Sequence, residues 1–390
     1  MKTLLATKTK VLSVQIPPDG NKVYGKLLRR AFAESEEIDF RAYWTDDKRE
    51  LPARVLNTLL RQRIPLAWAI ARNVDLRRVR GELGYALYSR RLVQRLRREH
   101  AVDVLHFNTQ TAALLAVDLM KQTPAVITLD QTAVQAALET DKRWRWTHAP
   151  GIALERAPFR AAAAVVPFSG WAANALIDAY GVDPARIHVI PVGVDRGDFA
   201  EIAARRGDAD GRPLKILFVG GEFARKGGPL LVEVFLQRFA GRGVELHLMT
   251  GAPGIVEHPQ IHVHRGVAAF SPEWKQLYAQ ADVFALPTHR EAFGIAFIEA
   301  MAAGLPVIGT AISAIPEIVA DGETGFLIPR NDGQALAERL DALLSNAELR
   351  GRLGANGPPR VARYFDVAAN MGRLKDVFRA VAGHRPASHP

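Results

Sequence analysis

In the stretch EAFGIAFIEAMAAGLPVIG, residues 291–309, two glutamates stand eight positions apart in an otherwise small and apolar run. A carboxylate in such surroundings is costly unless something pairs with it, so Glu291 and Glu299 need a reason to be there. The run follows the strand candidate DVFALP (282–287). That makes THREAFG (288–294) the loop at the strand's carboxyl end and IAFIEAMAAG (295–304) the next helix. Gly294 falls at the helix start, where backbone N–H groups and the positive end of the dipole favour an anion. Eight helical residues span about 12 Å, the reach of a nucleotide sugar: sugar hydroxyls on one carboxylate, ribose hydroxyls on the other, a diphosphate between. A carboxylate is a natural acceptor for two vicinal hydroxyls. The spacing alone fits equally well a Glu299 paired to a buried cation and a Glu291 left in solvent.

A second cluster is FVGGEFARKGG, 218–228, which follows the strand candidate KILFV and opens a helix. Glycines there let the backbone approach a phosphate closely. Arg225 and Lys226 add two cations, which would stabilise the charge building on a departing diphosphate. The order of a Walker A loop is absent. Taken alone, such a turn is more often an exposed loop. The Asp-x-Asp run DAD (208–210) lies in a Gly-, Asp- and Arg-rich stretch rather than after a strand, so no metal site is expected there.

These residues need a frame. The chain has 390 residues, 48% apolar and 24% charged, and no cysteine. Disulfides, thiolate metal sites and a cysteine nucleophile are therefore excluded. Strand candidates (11–15, 103–107, 125–129, 163–168, 187–193) alternate with helix candidates (21–35, 111–120, 170–180) in the first half. After a linker at 195–214 the alternation restarts and runs to residue 346. Alternation of this kind predicts parallel sheets with crossover helices. The expected fold is α/β, with two Rossmann-like doubly wound domains facing across a cleft, where ligands bind beyond the carboxyl ends of the strands.

With VVPFSGWAANALIDAYGVDPARIHVIPVGVD (165–195) and ADGETGFLIP (320–329) added to the two clusters, the chain resembles the retaining nucleotide-sugar glycosyltransferases of the GT-B fold, the large group marked by an E-x(7)-E element. The resemblance implies that Glu291 holds sugar hydroxyls beside the anomeric carbon and that Glu299 holds the ribose. Arg225 and Lys226 clamp the diphosphate with backbone N–H groups around Phe293, Gly294 and Ile295, and Gly20 lines the cleft after the first strand. It further implies retention of anomeric configuration, no metal or other cofactor, and a UDP- or GDP-linked sugar as co-substrate. The chain departs from the family pattern around Gly20, where the usual double glycine is missing, at Val192, where an asparagine is usual, and at two further places. Many relatives carry an arginine where Gly221 stands, and Arg225 is expected to replace it. Many carry a histidine where Asp130 stands, which leaves Asp130 either a catalytic-side group stabilising positive charge or a helix cap. His106 is expected to be a core histidine. The implied domains are residues 1–197, binding acceptor, 198–365, binding nucleotide sugar, and 366–390, a helix returning to the first domain with a disordered tail.

Net charge is +10 and uneven: residues 1–200 hold 30 Lys and Arg against 21 Asp and Glu, and the remainder 21 against 20. Residues 54–100 hold twelve arginines and three acids, with Tyr85, Tyr88, Leu92 and Leu96 on one helical stripe. Two readings stand: a basic amphipathic helix on an anionic membrane surface, or a core-facing helix with a solvated basic back. No nucleic-acid module accompanies the charge. No signal peptide or spanning segment is visible, so a cytoplasmic protein, peripheral on the inner membrane face under the first reading, is expected. The acceptor implied is a glycan, glycolipid or lipid-linked precursor. An epimerase or hydrolase acting on the same donor, and a non-catalytic donor-binding relative, are the alternative functions.

Overall fold

The structure is a computed structural model that describes residues 8–16, 19–45, 59–60, 76–204 and 211–383. Contacts divide the chain into two compact units, Met1–Pro191 with Ala368–Pro390, and Val192–Val367.

The first unit is built on five parallel strands: β1 (Thr9–Gln15), β2 (Ile38–Trp44), β3 (Val104–Asn108), β4 (Ala125–Leu129) and β5 (Ala164–Pro167), in the order β2-β1-β3-β4-β5. β3, β4 and β5 are buried at every position, as an apolar strand covered on both faces must be. The helices are α1 (Asp19–Phe32), α2 (Arg77–Glu99), α3 (Val117–Gln122), α4 (Ala133–Leu138), α5 (Ala149–Ala161) and α6 (Gly170–Asp178). Ser169 caps α6, accepting from the Ala172 amide at 3.1 Å. His106 is fully buried, with its ring nitrogens 2.8 Å from Ser13 Oγ and 3.1 Å from Thr128 Oγ1. Burial pushes its imidazole down to about 3, so it is a neutral core group.

Two expectations need correction, one strand is added, and one open reading is decided for the described residues. Strand β2 was not anticipated, since its residues are mostly half-exposed and it carries the surface pair Asp39–Arg41. The helix expected at 111–120 is a short 3₁₀ turn, Gln110–Ala113, followed by the separate α3. The strand expected at 187–193 makes only one bridge, Ile187 to Val165. The His188 and Ile190 amides do donate to β5, but Pro167 has no N–H to return and Pro191 has none to give. In α2, Tyr88, Leu92 and Leu96 are buried in the core and Tyr85 packs against it, so the stripe that could have met lipid is already covered. Arginines occupy the outer side, Arg90 paired with Asp118 and Arg95 with Glu99. The rest of the arginine-rich stretch, 54–58 and 61–75, lies outside the described residues. Among the described residues no helix is long and apolar enough to cross a membrane.

The second unit carries β6 (Leu214–Val219), β7 (Val244–Met249), β8 (Ile261–His264), β9 (Val283–Leu286), β10 (Val307–Thr310) and β11 (Gly325–Ile328), all parallel, in the order β11-β10-β9-β6-β7-β8. Its helices are α7 (Arg196–Ala204), α8 (Gly228–Arg238), α9 (Pro272–Gln280), α10 (Ile295–Ala302), α11 (Ile315–Ile318), α12 (Gly333–Ser345), α13 (Ala347–Ala355) and α14 (Gly357–Tyr364). Ser271 caps α9, with Pro272 in its first turn. Part of the expected linker is α7. Its Phe199 and Ile202 are 1% exposed, and Phe199 meets the Trp274 ring edge-on at 5.6 Å. The Asp-x-Asp run at 208–210 lies outside the described residues.

The chain enters and leaves this unit through paired segments: the Val194 amide donates to Phe365 O at 2.9 Å and the Val367 amide to Val194 O at 3.2 Å. A last helix, α15 (Val367–Gly383), then joins the first unit. Its Phe378 ring lies 5.3 Å from His106 and 5.9 Å from Phe32, and Lys375 and Arg379 both reach Glu37.

Candidate active site

Strand order fixes where ligands can bind in the second unit. From β6 the chain moves outward to β7 and β8, then returns to place β9 on the other side of β6. The carboxyl ends of β6 and β9 are therefore neighbours, and the loops that follow them diverge from one crevice, a topological switch point. Those loops are 220–227 and 287–294, the two clusters singled out in the sequence.

The loops are stitched together. The carbonyl of Arg225 accepts from the His289 amide at 2.9 Å and from Thr288 Oγ1 at 3.1 Å. The Arg225 guanidinium donates to Arg290 O at 2.5 Å and to Glu222 Oε2 at 2.6 Å, and stands 4.0 Å from Glu291 Oε2. Lys226 Nζ donates directly to Glu291 Oε2, with both side chains largely buried. The cation–acid pairing left open by the sequence is thus resolved the other way round: Glu291, not Glu299, holds the cation.

Two glycines allow this closeness. Gly227 has φ +77°, and a Cβ there would lie 1.9 Å from Pro287 O. Gly294 has φ +98°, and its missing Cβ leaves room for the Phe297 ring, 2.9 Å away, and Glu291 Cγ, 3.4 Å away. Gly227→Ala combines a strained backbone with a clash against main chain. It is expected to destabilise the unit by more than about 3 kcal/mol, read as a lower midpoint in urea.

Gly294 begins α10 in the left-handed region, with no side chain capping the helix, so the N-terminal amides around Ile295 present their donors and dipole to the crevice. Phe293 is buried behind this turn. Because residues 291–294 are loop and only 295–302 are helical, the eight-residue spacing is set by a turn plus one helical turn rather than by a continuous helix.

Glu299 is 9% exposed. Its Oε2 accepts from the Tyr278 hydroxyl at 3.1 Å. Burial pushes the carboxyl up to about 7, and the Tyr278 hydrogen bond and the Lys226 charge only partly oppose that. Lys226 thus acts on both glutamates. Lys226 and Arg225 together face two acids, so a dianion can join them only if the acids bind something other than charge, such as hydroxyl groups.

Of the residues read from sequence, Arg225, Lys226, Glu291, Phe293, Gly294, Ile295 and Glu299 gather on these two loops and α10. Gly20, in the first turn of α1, and Asp130, after β4, belong to the first unit. Asp130 is not the cap of α4. Thr132 is, in a capping box with Gln135. Gly221 is exposed with open space around it, and Arg225 is the cation nearest Glu291 after Lys226. Sequence reasoning missed Glu222, Tyr278 and Thr288. Glu222 was findable as an i,i+3 partner of Arg225. Tyr278 and Thr288 had no signal, because only the fold brings them to the site.

Two Rossmann-like α/β units of this kind define the GT-B class of fold. Residues 27–197 match the family model "Glycosyltransferase Family 4", and residues 257–360 match "Glycosyl transferases group 1". Neither match alone spans half of the chain; between them the two glycosyltransferase models fall on both units of this GT-B fold. It is 32% identical over 242 residues, 55% of this chain and 56% of the other, to a D-inositol 3-phosphate glycosyltransferase from Xylanimonas cellulosilytica. It is 38% identical over 143 residues, 36% and 37% of the two chains, to a phosphatidyl-myo-inositol mannosyltransferase from Mycobacterium leprae. These matches span about half the length of the curated relatives or less. Among solved structures, the Anabaena protein HepE, determined with UDP and glucose, superposes with a TM-score of 0.67 over 95% of this chain and all of that one, at 16% identity.

Proposed function

We propose that the chain moves a sugar from a UDP- or GDP-linked donor to an acceptor with retention of anomeric configuration and without a metal. The observation that carries this is the Lys226–Glu291 pair beside buried Glu299, at the uncapped start of α10 and at the switch point between β6 and β9. On arrival the donor diphosphate draws Lys226 from Glu291 and lies against the α10 amides. Glu291, released, accepts from sugar hydroxyls, and Glu299 accepts from the ribose. Arg225 keeps the 288–291 loop in place and adds charge at the phosphates. The anomeric C–O bond to phosphate breaks while the acceptor hydroxyl attacks from the same face. The acceptor's proton passes to the leaving phosphate oxygen, so no protein base is required. Lys226, Arg225 and the helix dipole supply the positive charge that a cation would otherwise provide. Asp130 and Gly20 are assigned to the same reaction from the first unit, Asp130 to developing positive charge on the sugar and Gly20 to close approach of the donor.

The excess positive charge of residues 1–200 favours an anionic acceptor, and the relatives above are named for inositol phosphate and phosphatidylinositol. We assign the acceptor to a phosphorylated or lipid-linked polyol or glycan, reached in the cytoplasm or at an anionic membrane surface.

The test is a thermal-shift panel of nucleotide diphosphates and nucleotide sugars on EDTA-treated protein, followed by product analysis with and without acceptor. One nucleotide diphosphate and its sugar are expected to raise the melting temperature, since ligand at about 100 times Kd adds about 2.7 kcal/mol. No response to any diphosphate contradicts donor binding. Rapid release or rearrangement of the donor sugar without acceptor points instead to a hydrolase or epimerase. Donor binding without turnover of any acceptor, together with unchanged cellular function in Lys226→Ala and Glu291→Ala, points to a binding relative.

A further inference from the structure

The outer edge of the second sheet carries a cluster that the donor site does not use. On β7, Glu245 and His247 alternate with buried Leu246 and Leu248; on the last strand β8, His262 and His264 alternate with Val263. Residues two apart share a face, and the parallel register sets His247 opposite His262 and Met249 opposite His264. Three imidazoles and one carboxylate therefore meet on one face. His247 Nε2 lies 3.1 Å from Glu245 Oε2, and His262 Nε2 lies 3.9 Å from Glu245 Oε1. One ligand atom from each of Glu245, His247 and His262 falls within 4.8 Å of the others. Ligand atoms on a tetrahedral zinc at its usual bond lengths are about 3.4 Å apart, so closure asks for only small side-chain shifts. The side chains are 26%, 12% and 40% exposed, which leaves an entry path and room for a water as fourth ligand.

We propose that Glu245, His247 and His262 bind a divalent transition metal of the zinc class, which fastens the edge strand β8 to β7. His264 completes the site from behind. Its Nε2 is 3.1 Å from His247 Nδ1, where it can accept the Nδ1–H and leave His247 Nε2 to the metal, as the outer partners of ligating histidines do. Glu273 stands 3.8 Å from His264 Nδ1. The role is structural. The metal stabilises the folded sheet by binding it alone and ties the edge strand β8 to β7, away from the β6–β9 crevice.

Calorimetric titration of tag-free, EDTA-treated full-length chain with zinc chloride tests this, with cobalt(II) as a spectroscopic stand-in. Expected are one equivalent of zinc bound, a rise in melting temperature with zinc but not magnesium, and visible ligand-field absorption of tetrahedral cobalt. His262→Ala and Glu245→Gln should each weaken zinc by about 100-fold or more, and His264→Ala by about 10- to 100-fold. Metal-free melting curves show that each variant is folded. Metal-free wild-type protein should still bind nucleotide diphosphate. The proposal is overturned by absence of stoichiometric zinc binding, by binding indifferent to His262→Ala and Glu245→Gln, or by weak binding with no tetrahedral cobalt spectrum.

Discussion

Lys226→Ala is expected to lower kcat by about 100- to 1,000-fold, the usual consequence of deleting one preorganised group at a site of developing negative charge. The reason is positional. Lys226 is held by the Gly227 turn against Pro287 and reaches Glu291 across the crevice, so its charge is already in place before a diphosphate departs. The variant also takes from Glu291, 11% exposed on its side chain, its nearest partner and leaves only Arg225 at 4.0 Å, and so lowers the melting temperature. The two effects separate by measuring kcat per folded molecule well below the melting transition. A purely structural lysine would leave that value unchanged. Lys226 in the proposed role removes it almost entirely, while donor KM changes far less.

Glu299→Gln should move stability and binding in opposite directions. In the unfolded chain this carboxyl ionises near its ordinary value of 4.5, whereas burial in the fold holds it up to about 7. Between those two pH values the unfolded chain sheds a proton that the native chain keeps, so native stability falls as pH rises through the window and levels off above it. The cost is on the order of 3 kcal/mol. The amide has no charge to bury and can still accept from Tyr278. The ligand-free variant should therefore be more stable than wild type at pH 8 and nearly equal to it at pH 4, as read by urea unfolding at both. Nucleotide affinity should meanwhile fall about 10- to 100-fold with the loss of a charge-assisted acceptor for ribose. A variant less stable at pH 8, or one binding nucleotide normally, contradicts the assignment of Glu299.

That combination also shows how much a sequence can disclose. The E-x(7)-E run and the Gly-rich turn were legible because local rules govern them: a loop at a strand's carboxyl end, a glycine at a helix start, basic residues in a phosphate-sized turn. What the two acids touch was not legible. Lys226 and Glu291 lie 65 residues apart, and only the order β9-β6 makes them neighbours. Tyr278 reaches Glu299 from the helix before β9, and nothing in PEWKQLYAQ distinguishes an inward hydroxyl from a surface tyrosine. Helix α7 was hidden for a different reason: its buried face is narrow, chiefly Phe199 and Ile202, set among residues with loop composition. In α2 the periodicity was correct but ambiguous, because an apolar stripe backed by arginines is equally suited to lipid and to core, and burial of Tyr88, Leu92 and Leu96 decides for the core.

The most direct measurement is a crystal structure of the chain soaked with a UDP- or GDP-sugar analogue that cannot react. It should show the diphosphate at the start of α10 with Lys226 moved from Glu291 onto a phosphate oxygen, Glu291 on sugar hydroxyls and Glu299 on the ribose. A nucleotide lodged elsewhere, or one bound with the Lys226–Glu291 pair intact and Glu299 touching nothing but Tyr278, would contradict the account.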